Sequence, residues 1–129
     1  MTDWVWLEAR DALAIHDQAL ALHGGASGVR DDGLLLSALA RPRQIAAYDK
    51  TADLVTLATA YTTGIVKNHP FIDGNKRTGF IPGILFLELN GGEFVAREED
   101  AAAAVLALAA GEWDEAAYAA FVRENARSE

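Results

Sequence analysis

The sequence predicts an all-α fold, a small bundle of about six helices with at most a short two-stranded β pairing. Three observations lead there. Apolar residues recur at helical rather than alternating spacing along most of the chain. Gly, Pro and capping Asp residues cut it into segments of helix length. Finally, 129 residues are enough for one continuous core, so residues 1–129 are expected to form a single domain.

After an apolar start at Trp4-Val5-Trp6, residues 7–23 carry Leu7, Leu13, Ala14, Ile15, Leu20 and Leu22 on one broad stripe, and Gly24-Gly25 stops that helix. Asp31 or Asp32 caps a second helix through Leu34, Leu35, Leu36, Ala38 and Leu39. Pro42 is expected to end it by disfavouring helical geometry at Arg41, leaving 41–50 as a loop or short turn. Thr51 or Asp53 starts a third helix, with Leu54, Leu57, Ala58, Tyr61, Ile65 and Val66 in register, which ends near Lys67-Asn68 ahead of Pro70. Residues 80–89 are apolar almost all round, as in a helix at the middle of a bundle. Pro82, with Gly79 and Gly83, predicts a kink or a late start there. Asn90-Gly91-Gly92 closes that segment, and residues 93–96 suggest a short strand pairing with Val5-Trp6. Two last helices are expected over 98–109 and 114–125, with Gly111 between them and Asp114 as a cap.

Composition excludes several classes. With 51% apolar and 23% charged residues the chain is globular rather than disordered. There is no cysteine, which removes disulfides and thiolate metal sites and fits a reducing, cytoplasmic setting. Residues 1–10 lack the basic start and apolar run of a secretory signal, and the Ala-rich run at 101–110 is too short to span a bilayer, so no membrane association is expected. A formal net charge of −8 argues against direct nucleic-acid binding, which draws its affinity from neutralised phosphates. Any anion must therefore be held locally, and Lys67, Lys76 and Arg77 cluster in one short stretch.

That stretch is His69-Pro70-Phe71-Ile72-Asp73-Gly74-Asn75-Lys76-Arg77. One helix ends at His69 and the next begins near Asn75, so a single loop presents a base, a carboxylate and several donors. Free amides at the start of the Asn75 helix, with Gly74 permitting close backbone approach, suit an anion, and Lys76 and Arg77 add full charge. Asp73 suits magnesium, which takes one or two protein carboxylates when phosphate oxygens complete its shell. A histidine ordinarily titrates near ~6.5, so His69 suits proton transfer from a hydroxyl. The same residues also make a good turn, a helix-ending pair and solvated surface charge, and spacing alone leaves both readings open. His16 and His23 have no carboxylate pattern of a metal site beside them and read as structural or surface residues; Trp4, Trp6 and Trp113 read as packing.

His69-Pro70-Phe71-Ile72-Asp73-Gly74-Asn75-Lys76-Arg77-Thr78 resembles the Fic-family motif, and Lys76, where most Fic proteins have Gly, is similar to the death-on-curing (Doc) branch. Ile15-His16-Asp17, His23-Gly24-Gly25, Gly33-Leu34-Leu35, Ala40-Arg41-Pro42, Tyr48 and residues 86–91 resemble that branch in the same order, so the likeness spans nearly the whole chain. The resemblance implies a Fic-like helical bundle and a toxin of a toxin–antitoxin pair. Its implied activity is an ATP-dependent, magnesium-dependent protein kinase that phosphorylates a hydroxyl, a threonine by family likeness, of translation elongation factor Tu and stops translation. His69 would be the general base, Asp73 the magnesium ligand, and Gly74, Asn75, Lys76 and Arg77, with Lys67 nearby, the ATP-phosphate cradle. The implied inhibitor is a separate antitoxin bound as a helix in a groove, because no inhibitory Ser/Thr-and-Glu helix is visible in the chain. Two alternatives remain: a Fic-type adenylyltransferase, and a catalytically silent partner of an antitoxin. Phe80 stands where adenylylating relatives carry a second arginine, which favours phosphotransfer; Pro70 and Gly74 are typical of the adenylylating group.

Overall fold

A computed structural model describes residues 3–128 of the chain. Met1 and Thr2, part of the chain start read above for a signal, and Glu129 lie outside the described residues. In chain order the elements are α1 (Ala9–His23), α2 (Asp32–Tyr48), α3 (Leu54–Asn68), α4 (Asn75–Leu89), β1 (Gly92–Phe94), α5 (Glu98–Ala110), α6 (Glu115–Glu124) and β2 (Ala126–Ser128). The expected all-α bundle with one small pairing is what forms. Among the described residues no helix is long and apolar enough to cross a membrane.

Several helix starts follow directly from side-chain caps. The carboxylates of Asp31, Asp53 and Asp114 accept from Leu34 N, Thr56 N and Ala117 N, and so satisfy otherwise orphan amides in the first turns of α2, α3 and α6. Asp53 is partly desolvated, which raises its pKa. Hydrogen bonds from the Thr56 hydroxyl and amide, with Arg123 alongside, outweigh that and hold the carboxyl below the ordinary range.

α3 is the central helix, with every residue from Leu57 to Val66 buried. That corrects the expectation that the 80–89 segment lies at the middle. Small residues make the centre, because they let neighbouring backbones approach. A Cβ on Gly64 would stand 3.1 Å from Ala38 Cα of α2, and one on Gly79 would stand 2.8 Å from Val66 Cγ2. One on Gly83 would overlap Thr62 Oγ1 and lie 2.8 Å from the Ala58 carbonyl oxygen. Gly79 and Gly83, costly by helix propensity, are what allow α4 to lie against α3. Ile81 and Leu89 of α4, by contrast, are substantially exposed.

The prolines behave differently from expectation. Pro42 does not end the second helix: α2 continues through it to Tyr48, and the ring is buried. The backbone donor missing at Pro42 would have served Ala38 O, and that carbonyl faces Gly64 of α3. Burial of Leu35, Ala38, Leu39 and Pro42 against α3 offsets the lost bond. Pro82 likewise lies inside an unbroken α4, whose start at Asn75 is not delayed.

β1 pairs antiparallel with β2, with Glu93 opposite Arg127, and not with Val5-Trp6. The edge near Val5 is already occupied, since the Asn90 side chain accepts from Val5 N at 2.8 Å and donates to Val5 O at 3.2 Å. Trp4 and Trp6 pack on Phe86, the latter stacked at 5.5 Å, and Trp113 packs on Phe121, so the tryptophans serve packing as expected. One core cluster joins α1 to α4 around Leu57, Tyr61, Ile65 and Phe86; a second gathers Leu108, Tyr118 and Val122 of α5 and α6. A fork from Arg41 to Glu115 ties α2 to α6 and raises the Arg41 pKa through that hydrogen bond.

Candidate active site

The motif occupies the junction of α3 and α4. His69 caps α3 at φ 53°, ψ 53°, the only described non-glycine residue in the left-handed region. It is the turn at this residue that carries the chain off the helix and leaves the imidazole exposed. Phe71 is fully buried beneath the loop and anchors it. Gly74, at φ 76°, is the cap that starts α4, a conformation open to glycine without strain.

A segment not singled out as part of the site supports this loop. Arg30 N and Asp31 N both donate to Pro70 O, Ile72 N donates to Gly28 O, and Val29 forms a single antiparallel bridge with Phe71. Asp73 places one carboxylate oxygen 2.8 Å from Gly74 N and the other 3.3 Å from Ala26 N. Gly25 makes that approach possible, since a Cβ there would sit 2.8 Å from Asp73 Oδ2.

His16, read as structural or surface, is buried and structural: its Nε2 lies 2.8 Å from the Asp73 carbonyl oxygen and its ring stacks on Phe71 at 3.9 Å. The available signal was the likeness of Ile15-His16-Asp17 to the Doc branch, which marks the residue without giving its role. His23 stands exposed at the end of α1 on the rim of the cleft described below.

Asn75 is buried and fixes the inside of the loop. Its Oδ1 accepts from Phe71 N and its Nδ2 donates to Phe71 O, both at 2.9 Å, so the orientation of the amide is determined. The second Nδ2 proton is directed at His69 Nδ1, 3.1 Å away. Nδ1 therefore accepts, and the neutral ring carries its proton on Nε2. With its side chain so engaged, Asn75 offers an anion its backbone N–H. The amides of Asn75, Lys76 and Arg77 form the first turn of α4, where no intrahelical acceptor exists.

Lys76 and Arg77 are exposed and make no ion pair among the described residues, so both charges are free to meet a ligand. Lys67 is not brought to them: its ammonium donates to Leu108 O at the end of α5, 2.7 Å away. The spacing that grouped the three cations hides the half-turn of helix and the loop between them.

These groups open into a cleft of about 890 Å³ between α1, α4 and α5, large enough for a nucleotide. His69, Asp73, Gly74, Asn75, Lys76 and Arg77 form one end of it, and Phe80, Ile84, Val105 and Leu106 line its apolar remainder. Phe80 meets Phe94 edge to face at 5.9 Å. Asp73 fits a magnesium ion in the sense that its carboxylate lies on the cleft and each oxygen, with one amide contact, keeps a lone pair free. Among the described residues no three His or acidic groups gather into a complete metal cage, so ligand oxygens would have to complete the shell.

A helical bundle with an imidazole at one helix end, a carboxylate in the turn and unpartnered amides with two cations at the next helix start has the chemistry that suits an anion beside a titratable ring. A family model described as Fic/DOC family matches residues 6–87, from the apolar start through nearly all of α4. The chain is 31% identical over 85 residues to "Protein kinase doc" of Escherichia phage P1, covering 66% of this chain and 68% of that one. It is 36% identical over 92 residues to "Toxin Doc" of Mycolicibacterium smegmatis (strain ATCC 700084 / mc(2)155), covering 70% and 68%. The chain belongs to the Fic/Doc family.

Proposed function

We propose that this protein is a Doc-type toxin that transfers the γ-phosphoryl group of ATP to a hydroxyl of a target protein, with translation elongation factor Tu as the target. A relative is named a protein kinase and another a toxin, which supports this reading. The observation that carries it is the pairing of Lys76 with Phe80. A free ammonium stands at the first turn of α4, and one helical turn on, the cleft wall is an aromatic ring rather than a second cation. Positive charge is thus concentrated at one phosphate position and absent from the next, which favours attack at a single phosphorus.

In this reading the amides of Asn75, Lys76 and Arg77, with the two side-chain cations, hold the phosphates. Magnesium on Asp73 would supply charge neutralisation there when bound. His69 takes the proton of the incoming hydroxyl at Nε2. Because Nδ1 accepts from Asn75 in the free protein, that step requires the ring to turn off the Asn75 amide and carry its own proton on Nδ1. The apolar part of the cleft, with Leu22, Ile81 and Leu106 exposed along it, suits the apolar face of an antitoxin helix, and a cytoplasmic site of action goes with that partner.

The test uses ATP labelled in either the γ- or the α-phosphate with candidate acceptor proteins. Label from the γ-position is expected in the acceptor and none from the α-position. Appearance of the α-label instead would replace the kinase with the adenylyltransferase.

A further inference from the structure

His69 holds a backbone conformation unfavourable for any residue with a Cβ, so something must keep it there. The carbonyls of Asn68, His69 and Pro70, three in succession at the end of α3, are all taken by two residues from the loop before α2. Arg30 Nη2 donates to Asn68 O at 3.0 Å and Arg30 Nε to His69 O at 2.8 Å. The backbone amides of Arg30 and Asp31 donate to Pro70 O at 2.7 and 3.1 Å. Among the described residues Arg30 pairs with no carboxylate, in a chain with 19 acidic residues. Its fork is directed instead at the negative end of a helix, where the last carbonyls lack intrahelical donors.

We propose that Arg30 is a positioning residue for His69: its guanidinium, by holding the Asn68 and His69 carbonyls together, fixes the left-handed turn that presents the imidazole to the cleft. The inference rests on the reading of His69 as the general base. The two ends of the residue are then controlled separately. Arg30 fixes the main chain, and Asn75 holds the ring, so the ring can turn off Asn75 during proton transfer while its Cα stays in place. A planar fork spans two carbonyls at once, whereas an ammonium meets them one at a time.

The chain has three histidines, so nitrogen-15 spectra of the imidazoles resolve His69 beside His16 and His23 as internal references. The wild-type His69 ring is expected in a single tautomer with the proton on Nε2. In Arg30→Ala the two ring-nitrogen signals of His69 should move together as tautomers and ring orientations average, with His16 unchanged and helical circular dichroism retained. Arg30→Lys should fall between the two. Growth arrest on expression without a partner should weaken in the same order, with transfer slowed by about tenfold or more in Arg30→Ala at an unchanged KM for ATP. A His69 spectrum identical in wild type and Arg30→Ala would overturn the proposal, as would His16 and His69 shifting together in both variants along with lost thermal stability. Full growth arrest by His69→Ala would remove the general-base reading alone, and the spectra would still decide whether Arg30 orders this turn.

Discussion

Replacing Gly83 with alanine sets helix propensity against interhelical clearance. By propensity the change should stabilise α4, since glycine inside a helix costs about 1 kcal/mol relative to alanine. The added methyl, however, would overlap Thr62 Oγ1 and stand 2.8 Å from the Ala58 carbonyl oxygen. Thr62 is buried, so its hydroxyl has little room to turn, and the Ala58 oxygen is backbone at the centre of the bundle. Relief requires α4 to move off α3, an overpacking cost at the upper end of the usual 1–3 kcal/mol, roughly 3 kcal/mol. The net loss is then about 2 kcal/mol, or a fall in Tm of roughly 8 °C for a domain of this size. Gly79→Ala meets only Val66 Cγ2 at less than 3 Å, with the nearest backbone atom, Thr62 O, at an ordinary 3.4 Å. Its overpacking cost falls at the lower end of the range and, offset by the propensity gain, leaves it within about 1 kcal/mol of wild type. Differential scanning calorimetry of both variants measures the difference. A Tm for Gly83→Ala at or above wild type would show that α4 does not lie this close to α3.

Other perturbations separate the site from the scaffold. Lys76→Ala, at an exposed position, should leave Tm unchanged while slowing γ-phosphate transfer by about a hundredfold, measured in single-turnover assays. Asp73→Asn keeps an acceptor for Gly74 N but loses the charge, so calorimetric titration of ATP should show at least about a tenfold higher magnesium requirement. Burial pushes the Tyr118 hydroxyl up to about 12 from 10.0, with the Thr62 hydroxyl beside it offsetting this only in part and no well-formed hydrogen bond made. A pKa raised on folding contributes stability that is complete below pH 10 and lost between 10 and 12, here roughly 2–3 kcal/mol. Denaturant melts of Tyr118→Phe should therefore lack that part of the alkaline decline.

What the sequence makes legible here is local. Asp31, Asp53 and Asp114 name helix starts because a cap needs only its own three following residues, and Gly111 ends α5 in the left-handed region for the same reason. The motif loop is also local, which is why His69, Asp73, Gly74, Asn75, Lys76 and Arg77 come together at one end of the cleft. Pro42 misleads because its cost is intrinsic while the offset comes from α3, more than a dozen residues away. The partner of β1 is not legible in the sequence, because both Val5-Trp6 and residues 126–128 after α6 offer short extended segments. The choice depends on Asn90 capturing Val5. Lys67 is grouped with the other cations by position along the chain, yet α3 turns it toward α5. Arg30 escapes notice, and His16 is legible as structural but not as a support of the motif loop, because their partners are main-chain carbonyls, which leave no mark in a pattern of side chains.

The charge balance sets how the proposed reaction must bind its nucleotide. At −8 the protein's overall field repels ATP, and Glu98, at the start of α5, stands on the cleft itself. Long-range attraction therefore cannot supply the affinity, and screening by salt should aid the approach rather than weaken it. Binding has to come from short-range, directed donors: the amides of Asn75, Lys76 and Arg77, whose directions are set by the cap at Gly74, and the two cations extending from the same turn. Directed donors tolerate little displacement, which gives a physical reason for the number of contacts spent on the loop behind them, with His16 on the Asp73 carbonyl, Asn75 on both polar groups of Phe71, and Arg30 and Asp31 on the carbonyls from Asn68 to Pro70. In the proposed reaction, phosphate affinity would rest on the rigidity of one turn.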